Sequence, residues 1–265
     1  MNQEIIDEIE NQNYEKITQI IENFLIEQIE KNKAEGLILG LSGGIDSAVL
    51  AYLCKRFLKE KTLALIMPDT EITPNYETED ALKMISLTGI PYKLIDINPI
   101  IREYTMYLEP NDWAKGNLRA RVRTNILYYY ANSKNYLVLG SSDKSENLIG
   151  YFTKFGDGAA DLVPIISLYK IQVRKIAEYL KVPQNVIEKK SSAHLWKNHE
   201  AEKELGISYE EIDSILYCVF DKKLSIDQTV EKTQINKQTV DKVYSLYLNS
   251  EHKRMPAQQP QIDWI

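Results

Sequence analysis

The chain has 265 residues, long enough to bury a full core as one large α/β domain with additions. Its 32 Lys and Arg against 38 Asp and Glu leave a net charge of −6, which argues against a general nucleic-acid binder, because phosphate-backbone affinity needs a basic face. No apolar run approaches membrane-spanning length, the acid-rich amphipathic N-terminus is unlike a signal or transit peptide, and two cysteines without metal-ligand spacing fit a reducing cytoplasm.

Residues 2–32 carry Ile5, Ile9, Tyr14, Ile17, Ile20, Ile21, Phe24 and Ile29 at helical spacing between charges, which predicts one or two amphipathic helices packed on the domain or on a partner. Residues 37–41 read as the first strand and residues 47–57 as the helix behind the following loop. Residues 62–67 form a near-continuous apolar run ended by Pro68, as expected of a buried parallel strand. Thr73-Pro74 opens a helix whose first turn holds Glu77, Glu79 and Asp80, acids that complement the helix dipole. Residues 91–97 read as a third strand. After a break at Pro110 a long helix runs from about 113 to 130, with Leu118, Val122 and Ile126 on one face, and residues 136–139 form a fourth strand ending at Gly140. Alternating strands and helices of this kind predict a doubly wound parallel sheet, in which ligands sit at the carboxyl ends of the strands.

From Leu162 onward the pattern is mostly helical: 171–180, stopped before Pro183, then 209–220, 226–231 and 238–248. Five Lys against four Asp and Glu between 221 and 250 give the last two helices no electrostatic footprint for DNA, so they read as packing helices. With no repeat, low-complexity tract or linker, residues 1–265 are expected to form a single domain. Cys54 and Cys218 both lie in apolar helical patterns, where a packed thiol is expected, and neither has a histidine or a glycine-rich elbow beside it in sequence.

Two stretches carry chemistry. The first, Gly40-Leu41-Ser42-Gly43-Gly44-Ile45-Asp46-Ser47, breaks an apolar strand with two glycines before a helix resumes. Lacking Cβ atoms, adjacent glycines let backbone N–H groups approach an anion, and the helix N-terminus adds its own unpaired N–H groups at the same spot. Ser42 and Ser47 add hydroxyls. Asp46 would repel phosphate oxygens unless a divalent cation stood between, and Mg2+ held by a carboxylate plus substrate phosphates is the usual arrangement. The hexapeptide Ser-Gly-Gly-Ile-Asp-Ser resembles the pyrophosphate loop of the N-type ATP pyrophosphatases, which cleave ATP between its α and β phosphates. There is no Gly-Lys-Ser/Thr of a γ-phosphate-transferring P-loop.

The second stretch runs from Gly140 to Asp161 and sets Ser141, Ser142, Asp143, Lys144, Ser145 and Glu146 ahead of the aromatics Tyr151, Phe152 and Phe155. Together with Gly116-Asn117-Leu118-Arg119-Ala120-Arg121, Gly150-Tyr151-Phe152-Thr153-Lys154, Gly156-Asp157-Gly158 and Asp161, it makes the chain resemble ammonia-dependent NAD synthetases from Leu37 to the segment Glu251-His252-Lys253-Arg254. The resemblance implies a Rossmann-like adenine nucleotide alpha hydrolase fold with extra C-terminal helices, a cytoplasmic homodimer, and amidation of deamido-NAD with ammonia through a nicotinoyl adenylate as ATP becomes AMP and pyrophosphate, the last step of NAD biosynthesis. By position it implies that Gly40, Leu41, Ser42, Gly43, Gly44, Ile45, Asp46, Ser47, Ser141, Lys170 and Ser192 bind ATP. Asp46 and Glu146 would hold Mg2+ and, with Lys170, neutralise charge during catalysis. Arg121, Lys154, Asp161, His252 and Lys253 match deamido-NAD contacts. The stretch 191–202 departs from the family pattern: Ser191 replaces a proline, and His199 and Ala201 replace a glutamine and an aspartate. It is expected to close over the site, with His194 and His199 equally readable as exposed polar loop residues.

Overall fold

The computed structural model describes residues 2–192, 194–196 and 199–262. In chain order its elements are α1 (Gln3–Glu10), α2 (Tyr14–Lys31), β1 (Gly36–Gly40), α3 (Ile45–Phe57), β2 (Thr62–Ile66), α4 (Asn75–Thr88), β3 (Tyr92–Leu94), α5 (Asn98–Thr105), α6 (Asp112–Lys134), β4 (Tyr136–Leu139), α7 (Lys144–Ile149), α8 (Lys170–Tyr179), α9 (Gln184–Ile187), α10 (Ala201–Leu205), α11 (Tyr209–Leu216), α12 (Ile226–Thr233), α13 (Lys237–Asn249) and α14 (Glu251–Arg254).

The four strands are all parallel, in the order β3-β2-β1-β4. β1 pairs with β4 in the register Gly36–Tyr136 to Leu39–Leu139, so the two strands end side by side. The strand order reverses at this point, which is where an open α/β sheet leaves a crevice for a ligand. Side chains of each inner strand alternate between the two faces. Leu37, Leu39, Ala64 and Ile66 join α2, α3, α4 and α8 in one core, whereas Ile38, Leu63, Leu65 and Val138 meet Ile101 of α5 and Val122 of α6 in another. Buried on both sides, β1 and β2 need apolar residues throughout, which explains their continuous hydrophobic runs. A third apolar cluster joins α1 to α11, α12 and α13 around Tyr209, Ile212 and Val240, and meets the start of α8 at Tyr169 and Ile171. Among the described residues no helix is long and apolar enough to cross a membrane.

The predicted elements hold with three corrections, and the short helices α9, α10 and α14 are additions to them. The third strand shrinks to three exposed edge residues, and the chain then enters α5, an unpredicted helix with Pro99 in its first turn. α7 interrupts the predicted loop after Gly140, capped by the Asp143 side chain, which accepts a hydrogen bond from the Glu146 amide at 2.8 Å. α11 ends at Leu216 and passes into a π-helical turn, Tyr217–Asp221, instead of continuing as α-helix. The N-terminal amphipathic stretch forms two helices, α1 and α2, within the expected one or two, although Ile20 faces solvent while keeping the helical spacing.

Candidate active site

A cavity opens at the strand switch, lined by Gly40 to Ser42 and Gly44 to Ser47 from the β1–α3 turn, Gly140, Ser141 and Glu146 from the β4–α7 turn, and Lys189 to Ser192, His194 and Leu195 from the segment before α10. The β1–α3 turn is shaped by its own hydroxyls. Ser47 Oγ accepts from the Ser42 amide at 3.2 Å and donates to the Gly44 carbonyl at 3.0 Å, while Ser42 Oγ accepts from the Gly44 amide at 3.2 Å. Gly43 takes φ +93°, and a Cβ there would lie 2.5 Å from the Glu77 carbonyl oxygen. Only glycine fits. The first-turn N–H groups of α3, including that of Asp46, then face the cavity end of the helix, the usual place for a phosphate.

Lys170, the first residue of α8, is wholly buried and stands at the centre of the charges. Its Nζ lies 2.8 and 2.9 Å from the two Asp46 oxygens, 2.9 Å from Glu146 Oε1 and 2.8 Å from Asp143 Oδ2. An ammonium has three protons for these four oxygens. Asp143 Oδ2 is the one left out: it keeps the ionic contact but finds no aligned hydrogen bond. Burial would lower the Lys170 pKa, yet Asp143, Asp46 and Glu146 outweigh it and hold the ammonium well above the ordinary lysine value. Burial, then the charges of Asp143 and Asp46, push the Glu146 carboxyl up to about 8 against the pull of Lys170. Asp143 is raised as well, chiefly by burial.

Behind this cluster Asp213 of α11 anchors the backbone. It accepts from the Ile171 amide at 2.9 Å and from the Ser145 hydroxyl, and Ser145 Oγ in turn accepts from the Lys170 amide at 2.9 Å. Burial pushes the Asp213 carboxyl up to about 7. Three carboxylates against one lysine leave the cluster short of positive charge, and hard oxygen donors with an unmatched buried carboxylate oxygen suit Mg2+. Asp46 and Glu146, which line the cavity, are the residues that would hold such a cation, with phosphate and water completing its shell.

The segment over the cavity is pinned at both ends. His199 is buried rather than an exposed loop residue: its Nε2 is 2.8 Å from the Tyr151 hydroxyl and 2.9 Å from Glu204 Oε2, and its ring lies against Trp196. Burial lowers its pKa against the pull of Glu204. His194 Nε2 meets Glu77 Oε1 at 3.0 Å. Arg119, paired with buried Asp69 at 2.6 Å, donates to the Leu195 carbonyl at 2.9 Å. Ser192 points its hydroxyl at the His199 carbonyl. Glu77 therefore does more than cap α4, the role its place in the sequence suggests. Both cysteines are buried, and burial pushes the Cys54 thiol up to about 12 and Cys218 up to about 11.

A family model described as NAD synthase matches residues 17–257. The chain belongs to the NAD synthase family. Over 264 residues it is 44% identical to the NH(3)-dependent NAD(+) synthetase of Staphylothermus marinus, covering 98% of this chain and 96% of that one. Among solved structures it is similar to an NMN synthetase from Francisella tularensis, with a TM-score of 0.84, 34% identity and coverage of 95% and 100% of the two chains. It is also similar to the NH3-dependent NAD synthetase of Campylobacter jejuni, with a TM-score of 0.81, 33% identity and coverage of 94% and 100%.

Within this NAD synthase fold the residues expected to contact deamido-NAD lie outside the cavity lining. Three of the five form one chain of contacts, in which Arg121 donates to the Lys154 carbonyl at 3.2 Å and Lys154 Nζ reaches the His252 carbonyl; Lys253, next in sequence, donates through Nζ to the carbonyls of Gly150 and Phe152 at 2.7 and 2.8 Å. The fifth, Asp161, stands apart at the edge of β4, where it accepts from the Val138 amide at 2.8 Å and the Tyr128 hydroxyl at 3.2 Å. Sequence reasoning passed over Lys189 and Asp213, and gave Asp143 and Glu77 no part in the site. Only Asp143 left a local signal, an N-cap residue three before Glu146.

Proposed function

We propose that the chain amidates the nicotinate carboxylate of deamido-NAD with free ammonia, spending ATP as AMP and pyrophosphate through a nicotinoyl adenylate. The observation that carries this reading is the meeting of Asp46 and Glu146 on Lys170 at the ends of neighbouring strands, beside a glycine turn built for phosphate. Attack of a carboxylate on the α-phosphate brings two anions together, so the site has to neutralise charge and hold the reactants in line. Residues Gly40 to Ser47 would seat the phosphates, with Ser141 and Ser192 as hydroxyl contacts on the facing loops. Asp46 and Glu146 would hold Mg2+, which when bound supplies positive charge against the phosphate oxygens. Lys170, kept protonated by its carboxylates, supplies a second fixed cation. Arg121, Lys154, Asp161, His252 and Lys253 are read as the dinucleotide side.

The acyl adenylate needs no enzymic nucleophile, because AMP leaves readily and neutral ammonia attacks directly. Neither cysteine can hydrolyse glutamine while burial keeps its thiol protonated. A cytoplasmic location suits these free thiols. Exposed apolar side chains along β3 and α5, among them Tyr92, Leu94 and Tyr104, support assembly as a homodimer. The likeness to the Francisella tularensis NMN synthetase supports a second reading, in which the acceptor is the mononucleotide. Mass detection of the amidated product decides between them. Incubated with ATP, Mg2+ and ammonium, the purified chain should convert deamido-NAD to NAD faster than it converts the mononucleotide, and should give neither product from glutamine alone. Preference for the mononucleotide would replace the dinucleotide reading, and turnover with glutamine, free of contaminating ammonium, would overturn the assignment of the nitrogen donor.

A further inference from the structure

Glu77 lies one turn into α4, buried, and touches three segments at once. Its Oε1 meets His194 Nε2 at 3.0 Å and its Oε2 meets Lys189 Nζ at 3.0 Å. Lys189 Nζ also donates to the Gly43 carbonyl at 3.2 Å and pairs with Asp80. Gly43 itself rests on Glu77, since a Cβ there would lie 2.6 Å from Glu77 Oε2. Lys189 and His194 bracket Ser191 and Ser192, the hydroxyls of the covering segment that line the cavity. His194 holds φ +44°, a left-handed conformation that a non-glycine residue keeps only when its surroundings enforce it.

We propose that Glu77 is a positioning residue that holds Lys189 and His194 against the phosphate turn, so that Ser191 and Ser192 between them are placed for ATP in particular. The inference rests on the reading of the β1–α3 turn as an ATP site. Its logic is geometric: one carboxylate holds both ends of the covering segment, and the lysine it holds is bonded to the backbone of the phosphate turn. Loss of the clasp should therefore weaken nucleotide binding and leave the acceptor side, built from Arg121, Lys154 and Lys253 on other elements, unchanged.

The test is direct binding of α,β-methylene-ATP with Mg2+, followed by calorimetry, beside binding of deamido-NAD. Glu77→Gln and Lys189→Met should each weaken the analogue about tenfold, the scale of one hydrogen bond to a charged group. The double variant should be no weaker than the poorer single one, because both changes open the same clasp. Deamido-NAD affinity should stay within about twofold, and in the wild-type chain only, the analogue should protect the backbone at Lys190 from trypsin. Should Glu77→Gln fail to fold, Lys189→Met and His194→Ala carry the same expectation from the covering segment. Folded variants that bind the analogue as the wild type does, or whose effects multiply in the double variant, would overturn the clasp alone. A wild-type chain that does not bind the analogue would overturn the ATP site and the clasp with it.

Discussion

At the scale of single residues, the chemistry of the site turns on how one ammonium is shared among carboxylates. Lys170 satisfies Asp46 and Glu146 and leaves Asp143 with an unmatched oxygen, so the cluster gains from any further cation. Glu146 reports this most clearly. In the unfolded chain its carboxyl releases its proton near the ordinary value of 4.5, whereas burial and the neighbouring carboxylates push it up to about 8 in the fold. Between those values the folded chain binds the extra proton, so its stability falls as pH rises from about 4.5 to 8. Glu146→Gln cannot ionise and escapes that loss. Without Mg2+ or nucleotide, the melting temperature of Glu146→Gln minus that of wild type should grow between pH 5 and pH 8.5. A gap constant over that range would contradict the strained cluster. Asp46 and Glu146 were legible in sequence because each follows a strand in a glycine- or serine-rich turn. Asp143 and Glu77 were not, because the first looks like an ordinary cap, and the second gains its meaning only when Lys189 and His194 arrive from more than a hundred residues away.

Among the elements, the turns after β1 and β4 place the site, and the C-terminal helices hold the aromatic loop in position. Short continuous apolar runs revealed both strands and a one-sided apolar stripe the long helix α6, since a strand buried on two faces is apolar throughout and a helix buried along one stripe must repeat. β3 and α5 were misjudged for the opposite reason. β3 is an exposed edge of three residues, and α5 is too short for periodicity to speak; Pro99 near its start was the available signal. The docking of the last helices depends on Gly150, the residue that ends α7 with φ +69°. A Cβ there would lie 2.0 Å from that of Ser250, and the Gly150 carbonyl is also held by Lys253. Burial lowers the Lys253 pKa, consistent with an ammonium largely withdrawn into these carbonyls. Gly150→Ala combines left-handed strain with overpacking and should cost roughly 2–4 kcal/mol. A thermal melt should fall by about 5 °C or more. An unchanged melt would mean that α13 and α14 are not seated against the loop.

For the whole molecule, the order β3-β2-β1-β4 explains why two distant sequence motifs act together. Strands β1 and β4 are nearly a hundred residues apart in the chain but neighbours in the sheet, and their following turns open onto one crevice. An acidic chain can bind an anionic nucleotide there because its cations are concentrated: Lys189 and Lys190 in the covering segment and Arg123 in the wall, with Lys170 buried behind the lining carboxylates Asp46 and Glu146. The central claim is that this crevice joins a carboxylate to the α-phosphate of ATP before ammonia arrives. Deamido-NAD labelled with 18O in both carboxylate oxygens tests it most directly, since an acyl adenylate hands its bridging oxygen to AMP when ammonia displaces it. The account predicts one 18O in each AMP formed, one retained in the amide, and none in pyrophosphate. Unlabelled AMP, or label appearing in inorganic phosphate with ADP as the other product, would contradict it.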